Sequence, residues 1–289
     1  MKKTISLILI TAVALSGCRS SHTLSGGPGK QDVSFGVCAS LPVSGIIKDC
    51  GFTFLEGSVG RDLMPGKPDT EWIGKKAEFD TCRLPVIACN GFLPGTLRVT
   101  GPDAIPDSVL KYAEVAFRRA GSVGIRTIVF GSSGARSIPE GFDRQVARRQ
   151  FIDLLKKMGP VAKKYGVTVA IENLQSQECN FINTVGEGLD IAREVNHPNV
   201  GLLVDIFHML REKEGPEILV KAGKYIKHCH IAEKAKRTAP GMEGDDFRPY
   251  FNALKKIHYR GGISIEGQWK NENLPIAFKV LNDQWKTNQ

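Results

Sequence analysis

The chain of 289 residues has seven cysteines but no C-x-x-C pair and no zinc-finger spacing, which excludes a recognisable zinc or disulfide framework. It also lacks a glycine fingerprint for nucleotides. GSSGAR (131–136) has the wrong spacing for either a dinucleotide-binding turn or a P-loop. No short-period repeat is present, and no apolar run is long enough for a permanent membrane helix, the stretch from Ile5 to Leu15 included. What remains is a globular composition, 42% hydrophobic, able to bury a large core without disulfides.

The first residues follow a different logic. MKKTISLILITAVALSGC has two lysines, an apolar core and small residues in secretory order. Its last four residues, Leu15-Ser16-Gly17-Cys18, resemble the lipobox of bacterial lipoproteins. The resemblance implies that residues 1–17 are removed as a signal peptide and that Cys18 is lipidated. Residues 18–32, small, polar and rich in glycine and serine, then read as a tether to a single domain over 33–289. The expected location is the bacterial cell envelope, periplasm-facing, with the membrane as a partner through the lipid.

Removing residues 1–17 lowers the formal net charge from +9 by two, to +7. The basic residues occur mostly as scattered pairs, Arg148-Arg149, Lys156-Lys157 and Lys163-Lys164, on helices that also carry acids. They read as solvated helix faces, and no nucleic-acid partner is expected. Of the other six cysteines, most sit in apolar strand-like runs and read as free buried thiols, with Cys38 and Cys50 the one pair that export would allow to oxidise.

Eight short apolar runs recur: 33–38, 52–56, 84–90, 126–131, 167–173, 200–206, 226–232 and 262–267. Helical spacing lies between several of them. Asp107 is placed to cap a helix through Arg119, and a stripe from Val146 to Met158 is expected to stop near Gly159-Pro160. Further helices are expected over 184–195, 246–258 and 274–286. Strands alternating with helices pair in parallel, and eight such units predict a (β/α)8 TIM barrel in the α/β class. An open doubly wound sheet is the runner-up, without its fingerprint.

In such a barrel the functional groups collect at the carboxyl ends of the strands. VTVAIE ends on Glu172, LLVD on Asp205, HCHIAE carries His228 and His230, and ISIE ends on Glu266. Three clustered carboxylates repel one another, and a divalent ion removes the conflict. Glu172, Asp205, His230 and Glu266 form an oxygen-rich set with one nitrogen, suited to Mn2+, Mg2+ or Co2+, with Zn2+ also accommodated. His208, a turn beyond Asp205, is read as a donor to substrate or a further ligand. His228 is read as orienting His230 or a carboxylate from below.

The motifs IEN (171–173), DIFH (205–208), HCHIAE (228–233) and ISIEG (263–267), in this order, resemble the xylose isomerase-like barrel superfamily of sugar isomerases and epimerases. Its ketose 3-epimerases and hydroxypyruvate isomerases are nearest in pattern. The resemblance implies that Glu172, Asp205, His230 and Glu266 bind one metal, that Glu172 and Glu266 are the catalytic acid/base pair, and that His208 and Glu178 contact a small sugar. Where those enzymes place an arginine six residues after the metal histidine, this chain has Lys236. Lys236 is therefore expected at the substrate. The loop 233–237 is a further candidate for an anionic group, Trp269 for stacking on a sugar, and Arg83 and Arg98 are weaker candidates.

A metal that holds a carbonyl and its neighbouring hydroxyl stabilises the enediolate left when a proton departs, and two carboxylates can remove and return that proton. The same first step serves a metal-dependent dehydratase or lyase acting on keto-sugars or inososes. Two other readings are a non-catalytic sugar-binding lipoprotein and an endonuclease IV-like phosphodiesterase. The latter needs additional histidines that the first four strands lack, with Asp245 and Asp246 the nearest substitutes.

Overall fold

The structure is a computed structural model that describes residues 33–287. Cys18, the signal segment 1–17 and the tether 18–32 lie outside the described residues. Eight parallel strands close into a barrel in chain order: β1 (Ser34–Cys38), β2 (Phe54–Ser58), β3 (Val86–Asn90), β4 (Thr127–Phe130), β5 (Thr168–Glu172), β6 (Val200–Asp205), β7 (Ile226–Ile231) and β8 (Gly262–Ile265). β8 returns to pair with β1, Ser34 beside Gly262. This is the TIM barrel that the apolar runs predict, in a single domain.

The helices follow the strands: α1 (Ser44–Asp49), α2 (Asp69–Thr81), α3 (Pro106–Ser122), α4 (Ser133–Arg136), α5 (Arg144–Lys164), α6 (Val185–Val195), α7 (Ile206–Glu212), α8 (Glu217–Ala222), α9 (Arg248–Lys256) and α10 (Leu274–Lys286). Their ends obey local chemistry. The Thr184 side chain caps α6 by accepting from the Glu187 N–H at 3.1 Å, and Asn196 closes it at φ 48°. Two expectations are corrected. Asp107 sits inside the first turn of α3, where Pro106 starts the helix and Ile105 is the cap. Pro160 does not stop α5, because Met158 and Ala162 on either side of it are buried against the barrel and Gly159 has no Cβ to meet the proline ring.

The main core lies between sheet and helices. A second, smaller cluster of Val129, Ala170 and Leu203 fills one side of the barrel interior. The rest of the interior is not apolar. Phe54 packs edge-on to His228 with ring centroids 5.9 Å apart, and above them sit Glu56, Ser264 and His230, all fully buried. The six cysteines at 38, 50, 82, 89, 179 and 229 are free thiols. Among the described residues no helix is long and apolar enough to cross a membrane.

Candidate metal centre at the barrel mouth

Alternation along a strand sends every second side chain inward, and the register aligns the inward residues of neighbours. Asp205 on β6 pairs with His230 on β7, and His230 pairs with Ser264 on β8, two residues before Glu266. Glu172 closes β5. Glu172, Asp205, His230 and Glu266 thus each bring a donor atom to the mouth, all within 4.8 Å of one another. Donors on opposite sides of one ion with bonds of about 2.1–2.4 Å lie no farther apart than about 4.8 Å.

Each ligand is held by something local. Asn173 exchanges hydrogen bonds with the Asp205 backbone, at 3.0 and 3.2 Å, and so locks the end of β5 to the end of β6. Asp205 caps α7, its carboxylate accepting from the His208 N–H at 3.3 Å. Asn90, last residue of β3, donates to Glu266 at 2.8 Å. Gly131 is required beside Glu172, because a Cβ there would overlap the Glu172 carboxylate. That glycine opens GSSGAR, so the segment serves carboxylate packing and not phosphate.

His230 shows which nitrogen faces the ion site. Its Nε2 lies 2.9 Å from Glu56, while Nδ1 lies 3.1 Å from Glu172 and 3.3 Å from Glu266. Glu56 also bonds His228 Nε2 at 2.7 Å and the Ser264 hydroxyl at 2.8 Å. A carboxylate that accepts Nε2–H leaves Nδ1 as the lone-pair face, the usual second partner of a metal-bound imidazole. His228 therefore bonds a carboxylate, as expected of it, and that carboxylate, Glu56, in turn bonds His230.

The electrostatics are those of a site built for a cation. Burial and the neighbouring Glu266 raise the Glu172 pKa, whereas His230 and Arg237 overcome burial and lower Glu266 to about 2. Burial opposes charge on His230, but Glu56 and Glu266 push its pKa well above the ordinary value. Burial likewise opposes charge on Glu56, and His230 and His228 reverse it. His208 is fully buried, and neither ring nitrogen makes a hydrogen bond, although Nε2 lies 3.3 Å from Asp205 and 3.9 Å from Glu178. A buried imidazole without a hydrogen bond beside two carboxylates, together with the donor set, fits a bound divalent ion and its ligand.

The remaining expectations separate. Lys236 stands apart: its side chain is 78% exposed, paired with Glu243, and outside the cluster. Arg237, its neighbour, takes the place, donating to Glu266 at 2.5 Å and lying 3.4 Å from Asp205 and 3.3 Å from Glu178. Its guanidinium also covers the Phe207 ring at 4.7 Å. Glu178 stands at the rim, bonded to Gln175. Glu233 is spent on its own loop, accepting from the Gly241 and Asp245 amides. Arg98 is bound to the carbonyls of Gly134 and Ser137, Trp269 packs against the core, and Arg83 lies at the opposite end of the barrel. Asp245 accepts from the Lys234 amide and Asp246 pairs with Arg248, so neither extends the cluster.

Glu56 and Asn90 were not among the expected site residues, and Arg237 was expected only as part of the loop 233–237 that could hold an anionic group. FTFLE and LPVIACN end on ionisable or polar residues just as the late strands do, so Glu56 and Asn90 carried the same signal. Arg237 carried none in its spacing. It is set by a left-handed backbone at φ 53° and by the bonds that pin it to the next loop, Gln268 N–H to the Arg237 carbonyl at 2.7 Å.

A closed eight-stranded barrel with carboxylates and an imidazole converging at its carboxyl mouth defines a TIM-barrel protein with a candidate metal centre. The chain belongs to the xylose isomerase-like TIM barrel family, whose pattern matches residues 45–284. It is 34% identical over 120 residues to an L-ribulose 3-epimerase of Methylomonas sp. (strain DH-1), 41% of this chain and 42% of that one. It is 29% identical over 134 residues to an inosose isomerase of Bacillus subtilis, 43% of this chain and 48% of that one. The chain thus spans less than half the length of these curated relatives. Among solved structures, D-psicose 3-epimerase from Clostridium cellulolyticum H10 with D-tagatose superposes with a TM-score of 0.77 at 19% identity, covering 88% of this chain and all of that one. The 3-keto-D-glucoside 4-epimerase of E. coli superposes with a TM-score of 0.73 at 22% identity, covering 87% of this chain and all of that one. These superpositions establish the fold.

Proposed function

We propose that the protein is a metal-dependent sugar epimerase or isomerase that moves a proton beside the carbonyl of a small sugar or keto-sugar. One observation carries the reading: Glu172 at the end of β5 and Glu266 just past β8 flank His230, with Asp205 completing a four-donor cluster within 4.8 Å. Its relatives include ketose 3-epimerases and an inosose isomerase, which supports the substrate class. A divalent ion, Mn2+, Mg2+ or Co2+ by the donor set, would polarise the substrate carbonyl and its adjacent hydroxyl. Glu172 and Glu266 remove the proton and return it, with Glu266 held in place by Asn90 on one oxygen and by Arg237 on the other. His208 and Glu178 hold substrate oxygens at the rim, and Arg237 steadies Glu266. Opposite-face return gives epimerisation, and return at the neighbouring carbon gives isomerisation.

The test is solvent deuterium exchange at the substrate carbon, screened by NMR over ketoses, 3-keto-glycosides and inososes. Glu172→Gln and Glu266→Gln should keep the fold and lose exchange. Undiminished exchange in both overturns the assignment. Metal analysis should give one ion per chain, and a value near three would favour phosphodiester cleavage instead. Tight sugar binding with no exchange on any substrate would favour a non-catalytic receptor.

We propose as well that Cys18 carries lipid, on the order of residues in LSGC. Cys18→Ala should abolish acylation, read by the mass of the N-terminal peptide.

A further inference from the structure

Seven connections lead from a helix back to a strand, and together they form the floor of the barrel opposite the mouth. They contain Arg83, Arg126, Lys224 and Arg260, and not one aspartate or glutamate. The acids of the site all sit at the other end. Lysines in the last turn of a helix are expected, since they complement its dipole, and Lys163 and Lys256 have that explanation. The dipole does not reach past the last turn, so it leaves Arg83, Arg126 and Lys224 unexplained.

Pairing is the second observation. Among the described residues, Arg83, Arg126, Lys163, Lys224, Lys227 and Lys256 make no ion pair, and all but the half-buried Lys227 are exposed. At the mouth Arg237 and Lys236 are paired, while Lys213 and Lys234 at its rim make no ion pair among the described residues. The floor also has a cavity of about 320 Å³ whose wall includes His197, Lys224, Tyr225 and Lys227. The Lys224 ammonium lies over the Tyr225 ring at 6.0 Å and the Lys227 ammonium donates to the Lys224 carbonyl at 2.9 Å, which gathers two cations at one place for the phosphate of a lipid headgroup.

Geometry supplies the third. β1 starts at the floor with Ser34, so the chain enters the barrel on this side. The fourteen residues that separate Cys18 from Val33 span at most about 50 Å, which keeps a lipid-anchored domain close to its bilayer.

We infer that the floor is a docking surface for an anionic phospholipid bilayer, which it meets through Arg83, Arg126, Lys163, Lys224, Lys227 and Lys256. This rests on the lipid-anchor reading for the nearness of the membrane, and on the floor's own charges for the contact. In that orientation the mouth opens away from the bilayer, toward dissolved substrate. A nucleic acid would also meet a basic face, but the lipobox and the entry of the chain at the floor favour the membrane.

The test uses the processed, full-length protein on vesicles of phosphatidylethanolamine and phosphatidylglycerol, and separately of phosphatidylcholine. Lysine labelling by an amine-reactive reagent is read by mass spectrometry. Lys163, Lys224, Lys227 and Lys256 should be protected on the phosphatidylglycerol vesicles alone, and Lys236 and Lys279 on neither. Raising the salt to about 1 M, where the Debye length is about 3 Å, should remove the protection. The triple variant Arg83→Gln/Arg126→Gln/Lys224→Gln should weaken binding to the anionic vesicles about tenfold to hundredfold, at about fivefold per cation. Protein that sits on both vesicles with equal floor labelling overturns the docking surface while leaving the anchor intact. Protein that ignores phosphatidylcholine yet shows floor protection on phosphatidylglycerol overturns the anchor and sustains the surface. Stronger protection by a DNA duplex than by anionic vesicles overturns the choice of lipid.

Discussion

At the mouth Glu172, Asp205 and Glu266 crowd around His230, and Arg237 is bonded into the same cluster, whereas at the floor Arg83, Arg126 and Lys224 stand exposed and unpaired among the described residues. The two ends place charge on opposite terms. Buried like charges raise one another's energy, so the carboxylates at the mouth call for positive charge, which Arg237 supplies in part and the proposed divalent ion would complete. Exposed cations separated by a Debye length or more cost the fold little. The floor can therefore hold a surplus of one sign without strain, and changes there should leave proton exchange intact while changes at the mouth should not.

The largest expected effect tests the mouth as a proton-transfer site. Glu266→Gln keeps the hydrogen bond from Asn90 but loses the base, and substrate deuterium exchange should fall by about 10²–10⁴-fold. Thermal unfolding measured alongside should show that the barrel survives. A smaller fall than tenfold would move catalysis away from Glu266.

Next comes the layer between the two ends. Phe54 is fully buried inside the barrel against His228, and Phe54→Ala should cost about 3–5 kcal/mol in urea unfolding. No floor substitution should approach that figure. Directly above, Glu56→Gln should lower metal affinity by about 10–100-fold in calorimetric titration, because an amide holds His230 Nε2 less firmly than a carboxylate. Calorimetry separates this from a loss of turnover. An unchanged affinity would mean that β7 alone orients the imidazole.

Legibility in the sequence follows the same division. Each of the late strands is an apolar run ending on an ionisable group, so Glu172, Asp205, His230 and Glu266 could be read from pattern alone. Glu56 ends FTFLE in the same manner and was missed because three late carboxylates already satisfied the charge argument. The eight strands were readable within a residue or two, since parallel strands buried on both faces are continuous apolar runs. Loops resisted. Arg237 reaches the site only because Gly267 lets the Arg237 carbonyl approach and because Arg237 itself adopts φ 53°, and neither fact is written in spacing. Spacing pointed to Lys236, one residue short.

That adjacency gives the finest version of the comparison between paired-in and solvent-facing charge. Lys236 and Arg237 are neighbours of the same sign, yet one faces water with Glu243 and the other holds Glu266, Asp205 and Glu178. Lys236→Ala removes an exposed pair and should change stability by less than about 1 kcal/mol, with kcat/KM unaltered. Arg237→Lys keeps the charge but loses the fork that reaches two carboxylates at once, so kcat/KM should fall measurably. Steady-state kinetics on the two variants decide it: equal values would return the role to the loop as a whole, because only the side chain buried over Phe207 has a geometry to lose.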